Sequence, residues 1–96
     1  MDQLERITYM ENILREAEEA LPALEAALER YAALRERLKE LEAYYSGGEW
    51  MKDFEDDSAG KLPQDLRRGV LSEDAVYDLL TDRNCLLERM RELGKA

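Results

Sequence analysis

The chain contains no histidine, one cysteine and no long apolar run. Histidine is the commonest general base and the commonest protein ligand of transition metals, so its absence removes the usual residues for both kinds of site. The single Cys85 excludes an internal disulfide framework and a zinc site built on paired cysteines. Because no stretch of about 18 apolar residues occurs, we expect no membrane-spanning segment.

Basic residues are also scarce, with 14 Lys and Arg against 23 Asp and Glu, for a net charge of −9. Nucleic acid and anionic membrane surfaces attract clustered positive charge, so we expect neither as a partner. The opening MDQLERITYMEN is acidic and polar, unlike a signal peptide, which favours a cytoplasmic location. We expect no cofactor.

What the sequence does have is helical periodicity, with 39% charged and 45% apolar residues. From Asp2 to about Tyr45, apolar residues recur every seven positions, which predicts one long helix with a wide apolar face. The three rows are Met10, Ala17, Leu24, Tyr31, Leu38 and Tyr45; Ile13, Ala20, Ala27, Leu34 and Leu41; and Ile7, Leu14, Leu21 and Leu28.

Pro22 interrupts this pattern and costs the interior of a helix about 3 kcal/mol. It can kink one helix or break it, in which case the chain forms a three-helix bundle. The rows keep phase from Ala17 to Leu24, and no capping residue precedes Pro22. We therefore predict one kinked helix.

The last helix is predicted at about 72–93, with Ser72 as its N-cap. Its apolar face, which we expect in the core, includes Val76, Leu80 and Leu87 and continues to Leu93. Arg83 lies on that face and needs an acidic partner. We predict a single all-α domain over 1–96, in which this shorter helix packs antiparallel on the long one. The length mismatch leaves part of the long apolar face for a second copy or another protein.

The connecting segment, residues 46–71, contains the only Trp and the only Phe. The run Ser46, Gly47 and Gly48 is predicted to end the long helix through a glycine in the left-handed region. Ser46 and Glu49 have the spacing of a capping box for a short helix that Gly60 ends. Trp50 and Phe54 share one face of that helix.

This segment, EWMKDFEDDSAGKLPQDLRRGVLSED, resembles the signature of the domain of unknown function 4298 family. The preceding LKELEAYYSGGEW and the opening RITYMENIL resemble the same family, so the likeness covers nearly the whole chain. The resemblance implies a bacterial cytoplasmic protein and implies no activity.

The acidic cluster Asp53, Glu55, Asp56 and Asp57 is the candidate metal site, since carboxylates hold Mg²⁺ or Ca²⁺. As an EF-hand loop it fails, because Ser58 stands where Gly is required and Gln64 where Glu is required. We expect instead that these carboxylates pair with bases after the turn or are solvated.

The candidate interaction residues are Trp50, Phe54, Lys61, Arg67 and Arg68. Aromatic anchors dominate protein interfaces, and Lys and Arg bind anionic groups. The alternative, which we favour, is that the aromatics are local core and the bases neutralise the acidic cluster.

The length mismatch of the two helices thus predicts a non-enzymatic interaction module that assembles as a homodimer, and we expect no catalytic residues. The alternative is a divalent-metal-dependent hydrolase resembling all-α nucleotide pyrophosphohydrolases, which use Glu-x-x-Glu pairs. Glu16 and Glu19 have that spacing, but such pairs are expected by chance in so acidic a helix.

Overall fold

The computed structural model describes residues 1–95, and over these residues the chain forms helices and turns without a strand. Three α-helices follow one another: α1 (Gln3–Ser46), α2 (Gly48–Ser58) and α3 (Ala75–Leu93). A short 3₁₀ helix, Gly69–Leu71, precedes α3. The predicted all-α class, with a long first helix and a short helix before the last, is confirmed. Contacts group the chain into two units, Met1–Glu36 and a second from Arg37 onward.

Helix α1 begins at an aspartate cap and continues through its proline. The Asp2 carboxylate accepts the Glu5 backbone N–H at 2.8 Å, which satisfies one of the free donors at the helix start. Pro22 lies inside the helix, so the alternative of a three-helix bundle broken there is wrong. No cap and no spare residues are available for a reversal at that point, and the apolar rows keep their phase across it.

The first unit, Met1–Glu36, consists of α1 residues whose apolar rows face solvent. No residue of α1 is buried. The large apolar side chains of the rows are between 39% and 62% exposed, and we call them the apolar face of α1: Ile7, Met10, Ile13, Leu14, Leu21, Leu24, Leu28 and Leu34. The prediction of an uncovered apolar stripe is therefore met in this unit.

The second unit contains all the buried apolar residues found within residues 1–95. They are Trp50, Leu71 and Val76, at 8%, 7% and 3% exposure. Each comes from a different element, since α2, the 3₁₀ helix and α3 contribute one each. The 3₁₀ helix contacts both α2 and α3 and so joins them into one small core.

The junction between α1 and α2 is tighter than predicted. Ser46 is the last residue of α1 and Gly47 is the N-cap of α2 without a side-chain cap, so the predicted capping box is wrong. Gly47 has φ −85°, not a left-handed value. A Cβ atom there would lie 3.1 Å from the Ala43 carbonyl oxygen, so a side chain would crowd this backbone atom. The left-handed glycine is Gly60, with φ 76°, just after α2.

Helix α3 contacts the rest of the second unit mainly at its start. It begins at Ala75 with Asp74 as its N-cap, so the prediction of Ser72 as the N-cap is wrong by two residues. The Ser72 hydroxyl nevertheless accepts the Ala75 N–H at 3.0 Å and satisfies a free donor at the helix start. The guanidinium of Arg83 lies 3.3 Å from the Glu42 carboxylate, which is the acidic partner that the sequence required. Only Val76 of the predicted core face of α3 is buried, because the start of the helix makes its buried contacts. The predicted place in the core is wrong for Leu79, Leu86, Leu87, Met90 and Leu93, which are exposed.

Candidate functional site

Arg68 organises the connecting segment. Its Nη1 bonds the Asp57 carboxylate, its Nη2 donates to the Pro63 carbonyl, and its Nε donates to the Leu66 carbonyl at 3.3 Å. Each of the three guanidinium nitrogens thus contacts an oxygen atom of the same chain. Asp57, whose side chain is 19% exposed, is the better shielded member of the ion pair. This predicted interaction residue ties the turn after α2 back onto α2.

Lys61 and Asp56 form a second pair across the same turn. The ammonium nitrogen lies 3.8 Å from the carboxylate oxygen, and the lysine side chain is 70% exposed. An exposed pair at this distance contributes about 0–1 kcal/mol, because water screens it and two long side chains must be ordered. The turn is instead fixed by its backbone, where the N–H groups of Gly60 and Lys61 donate to the Asp57 and Asp56 carbonyls.

Asp53 has a partner that the sequence did not indicate. The Tyr44 hydroxyl donates to its carboxylate at 2.6 Å and so links the end of α1 to α2. This hydrogen bond, followed by burial and by the negative charges of Asp53 and Glu49, raises the pKa of Tyr44 to about 12. The sequence showed a tyrosine in the last turns of α1, but it contains so many acidic residues that the partner of this hydroxyl could not be predicted.

The remaining charged candidates are exposed. Glu55 lies on the solvent side of α2, and Arg67 is exposed in the loop before the 3₁₀ helix. Within residues 1–95, no group of three or more Cys, Asp or Glu side chains is arranged to hold a metal ion. The metal site over Asp53–Asp57 stays a prediction that this geometry does not support.

The aromatic candidates stack on one another beneath the 3₁₀ helix. Trp50 lies 5.1 Å from Phe54 in a stacked arrangement and 5.1 Å from Tyr45 in an edge arrangement, between ring centroids. The Trp50 indole N–H donates to the Val70 carbonyl at 2.8 Å. With 8% of its surface exposed, Trp50 is placed as local core, the alternative favoured above, and Phe54 is half-buried beside it. A role of either in binding stays a prediction.

The apolar face of α1 is exposed, as are Leu79, Leu86, Leu87, Met90 and Leu93 of α3. The rows that border it carry charge in a fixed order along the helix. Acidic residues come first, Glu11, Glu16, Glu18 and Glu25, and Arg30 follows, whereas Arg35 continues the row of Ile7 on the face itself. All six are exposed. A strip of apolar side chains edged by charges is the usual composition of a helix that packs against another helix.

A family model described as Domain of unknown function (DUF4298) matches residues 7–93 of the chain. No curated protein and no solved structure matches it. Over residues 1–95, none of the helices combines the length and apolar character needed to cross a bilayer.

Proposed function

We propose that this chain, which belongs to the family described as Domain of unknown function (DUF4298), is a non-enzymatic protein–protein interaction module that self-associates. The surface we assign to this function is the apolar face of α1. The observation that supports the proposal is that eight large apolar side chains share this face and none is buried. A helix gains most of its stability in water from covering such a face.

The described residues offer no observation in favour of the hydrolase alternative. Asp53, Asp56 and Asp57 are engaged with Tyr44, Lys61 and Arg68, and the acidic residues described in the connecting segment are not arranged as a metal site. The proposal includes a cytoplasmic location, which rests on the resemblance stated above and on the exposed thiol of Cys85 without a second cysteine.

Two neighbouring alanines of α1 provide a matched test. Ala27 belongs to the Ile13 row of the apolar face, whereas Ala26 lies on the opposite side of the helix at 100° per residue. Both are exposed, so Ala27→Glu and Ala26→Glu add the same charge to the same helix at the same cost in helix propensity. We expect Ala27→Glu to weaken self-association by tenfold or more, by roughly the cost of placing a charge in an apolar interface. We expect Ala26→Glu to leave it unchanged.

The measurement is sedimentation equilibrium or light scattering from micromolar to high micromolar concentration. A wild-type protein that stays monomeric throughout contradicts the proposal. So does a dimer that both alanine variants weaken equally, because the apolar face would then not be the contact.

A further inference from the structure

Helix α1 changes character at Pro22. We infer that Pro22 divides α1 into two parts of unequal stability, so that residues 3–21 unfold and refold locally while residues 23–46 stay helical with the second unit. The first part is then a conformational switch, which is ordered when its surface is covered and opens when it is not. The division follows from contacts within one chain and does not depend on which protein covers the apolar face.

The part of α1 after Pro22 is anchored at its end. Residues 37–46 belong to the second unit. There the Tyr44 hydroxyl donates to Asp53 at 2.6 Å, and the Glu42 carboxylate lies 3.3 Å from the Arg83 guanidinium. Once a helical turn exists, each further residue adds a hydrogen bond without a new nucleation step. Residues 23–36 can therefore continue the helix that the second unit already holds.

Residues 3–21 have no such anchor. Among residues 1–95, no hydrogen bond or ion pair joins this segment to another element, and its one ion pair, Glu11–Arg15 at 3.8 Å, lies within it. A helix in a protein gains most of its stability from packing, so the single chain gives this segment little. Its large apolar side chains are between 47% and 75% exposed, and they are Leu4, Ile7, Tyr9, Met10, Ile13, Leu14 and Leu21.

The two parts also differ in helix propensity. Apart from Tyr31, residues 23–36, ALEAALERYAALRE, consist of Ala, Leu, Glu and Arg, which are among the best helix formers. The first part includes weaker ones, namely Ile7, Thr8, Asn12 and Ile13. Branching at Cβ restricts side-chain rotation in a helix, and asparagine competes for backbone hydrogen bonds. The composition therefore favours a helix that is stable after Pro22 and marginal before it.

Pro22 separates the two parts because a helix extends across a proline only at a cost. Proline has no N–H to donate to the Glu18 carbonyl, and its ring crowds that group. The residue before a proline prefers extended backbone, which suits Leu21 when the chain leaves the helix there. Proline is also favoured at the first position of a helix, so the second part loses little. Residues 3–21 must then nucleate their own helix, which is unfavourable by a factor of about 10³.

Hydrogen exchange of the full chain, followed by mass spectrometry in dilute solution, tests the division. We expect the amides of residues 6–21 to exchange at least tenfold faster than those of residues 27–46. Pro22→Ala should slow exchange of residues 6–21 by about a hundredfold, which is the cost of about 3 kcal/mol for an interior proline at about 1.4 kcal/mol per tenfold.

Pro63→Ala is the matched control, because it replaces the other proline of the chain, which lies outside α1. It should leave the exchange of residues 6–21 unchanged. Equal protection of both parts of α1 in the wild-type protein overturns the division at Pro22. So does a Pro22→Ala variant in which both parts slow alike, because α1 would then open as one unit.

Two spectroscopic probes provide a second test. Trp50 is the only Trp and is 8% exposed in the core of the second unit, so its fluorescence follows that unit alone. Far-UV circular dichroism follows all the helices. On heating the wild-type protein, we expect the dichroism to fall at lower temperature than the fluorescence changes, and we expect the two transitions to approach each other in Pro22→Ala. Coincident transitions in the wild-type protein contradict the division.

The failures of the two proposals are distinguishable. A protein that is monomeric at all concentrations, but whose residues 6–21 exchange fast and respond to Pro22→Ala, contradicts only the proposed function. A dimer in which the whole of α1 exchanges as one unit keeps the proposed function and overturns the division at Pro22.

Discussion

At the scale of single residues, the second unit is built from side chains that each satisfy a specific backbone or charged group. Arg68 is the clearest case, since its three nitrogens bind one carboxylate and two carbonyls of the same turn. Trp50 combines the largest apolar surface of the segment with an indole N–H that reaches the Val70 carbonyl. Burying such polar atoms is tolerated because each has a partner.

Among the residues of the second unit, we expect the replacement of Trp50 to cause the largest loss in the free energy of unfolding. We expect Trp50→Ala to lower the free energy of unfolding by about 3–5 kcal/mol, through the cavity that it leaves. Trp50→Phe retains most of the ring packing but leaves the Val70 carbonyl without its donor, at a cost of about 1–3 kcal/mol. Urea denaturation measures both. If Trp50→Ala is neutral, the side chain is not core and the interface interpretation gains support.

The Tyr44–Asp53 hydrogen bond should be visible as a dependence of stability on alkaline pH. The pKa of Tyr44 is raised from 10.0 to about 12 in the folded chain, chiefly by the hydrogen bond to Asp53. Its contribution to stability is fully present below pH 10. Between pH 10 and about 12 the folded chain keeps a proton that the unfolded chain releases, so the free energy of unfolding falls as pH rises.

Tyr44→Phe should remove this contribution and cost about 1–2 kcal/mol at neutral pH through the lost hydrogen bond. Denaturation midpoints from pH 8 to 12 measure the effect. Tyr45→Phe is the control, because no hydrogen bond of that hydroxyl is seen within residues 1–95. Equal pH profiles for wild type and Tyr44→Phe would contradict this account.

At the scale of helices, α1 and α3 are stabilised differently at their ends. At the start of α1, the Asp2 carboxylate accepts a backbone N–H. At the start of α3, the Ser72 hydroxyl accepts the backbone N–H of Ala75, three residues further along the chain. The end of α2 uses a left-handed glycine, Gly60. In each case a local residue satisfies backbone groups that the helix leaves free.

Ser72→Ala tests the cap of α3. We expect a loss of about 1 kcal/mol in the free energy of unfolding, since the Ala75 N–H loses its acceptor. Ser72→Thr retains the hydroxyl and should lose less than half of that. Thermal or urea denaturation is the measurement, and equal losses for the two variants would show that the hydroxyl is not the cause.

At the scale of the whole molecule, the two units differ in how they bury apolar surface. The second unit has a small core of its own, whereas the first consists of helix with an exposed apolar face. In the proposed dimer a second copy covers this face, so the stability of the protein should be linked to its concentration.

The midpoint of thermal unfolding of the wild-type protein should therefore rise with protein concentration, because dilution dissociates the folded dimer. We expect no such rise for Ala27→Glu. Calorimetry over a hundredfold range of concentration checks both. A wild-type midpoint independent of concentration would argue against coupled folding and association.

The sequence by itself determined the helices and the end of α2 at Gly60. It also determined the role of the Ser72 hydroxyl as an acceptor at the start of α3 and the requirement of Arg83 for an acidic partner. These features follow from interactions within a few residues, or from a charge on an apolar face that has to be neutralised. The heptad rows likewise predicted a continuous helix through Pro22, because their phase is a local property of the chain.

Only the tertiary structure decided which groups meet. With 23 acids and 14 bases, the composition permits many ion pairs. The path of the loop after α2 selects Asp57 for Arg68, and the one-residue junction between α1 and α2 brings Tyr44 to Asp53. It also decided that Trp50 is buried while Leu86 and Leu93 are exposed. Periodicity marks a face as apolar, but what covers that face depends on contacts between residues distant in the chain.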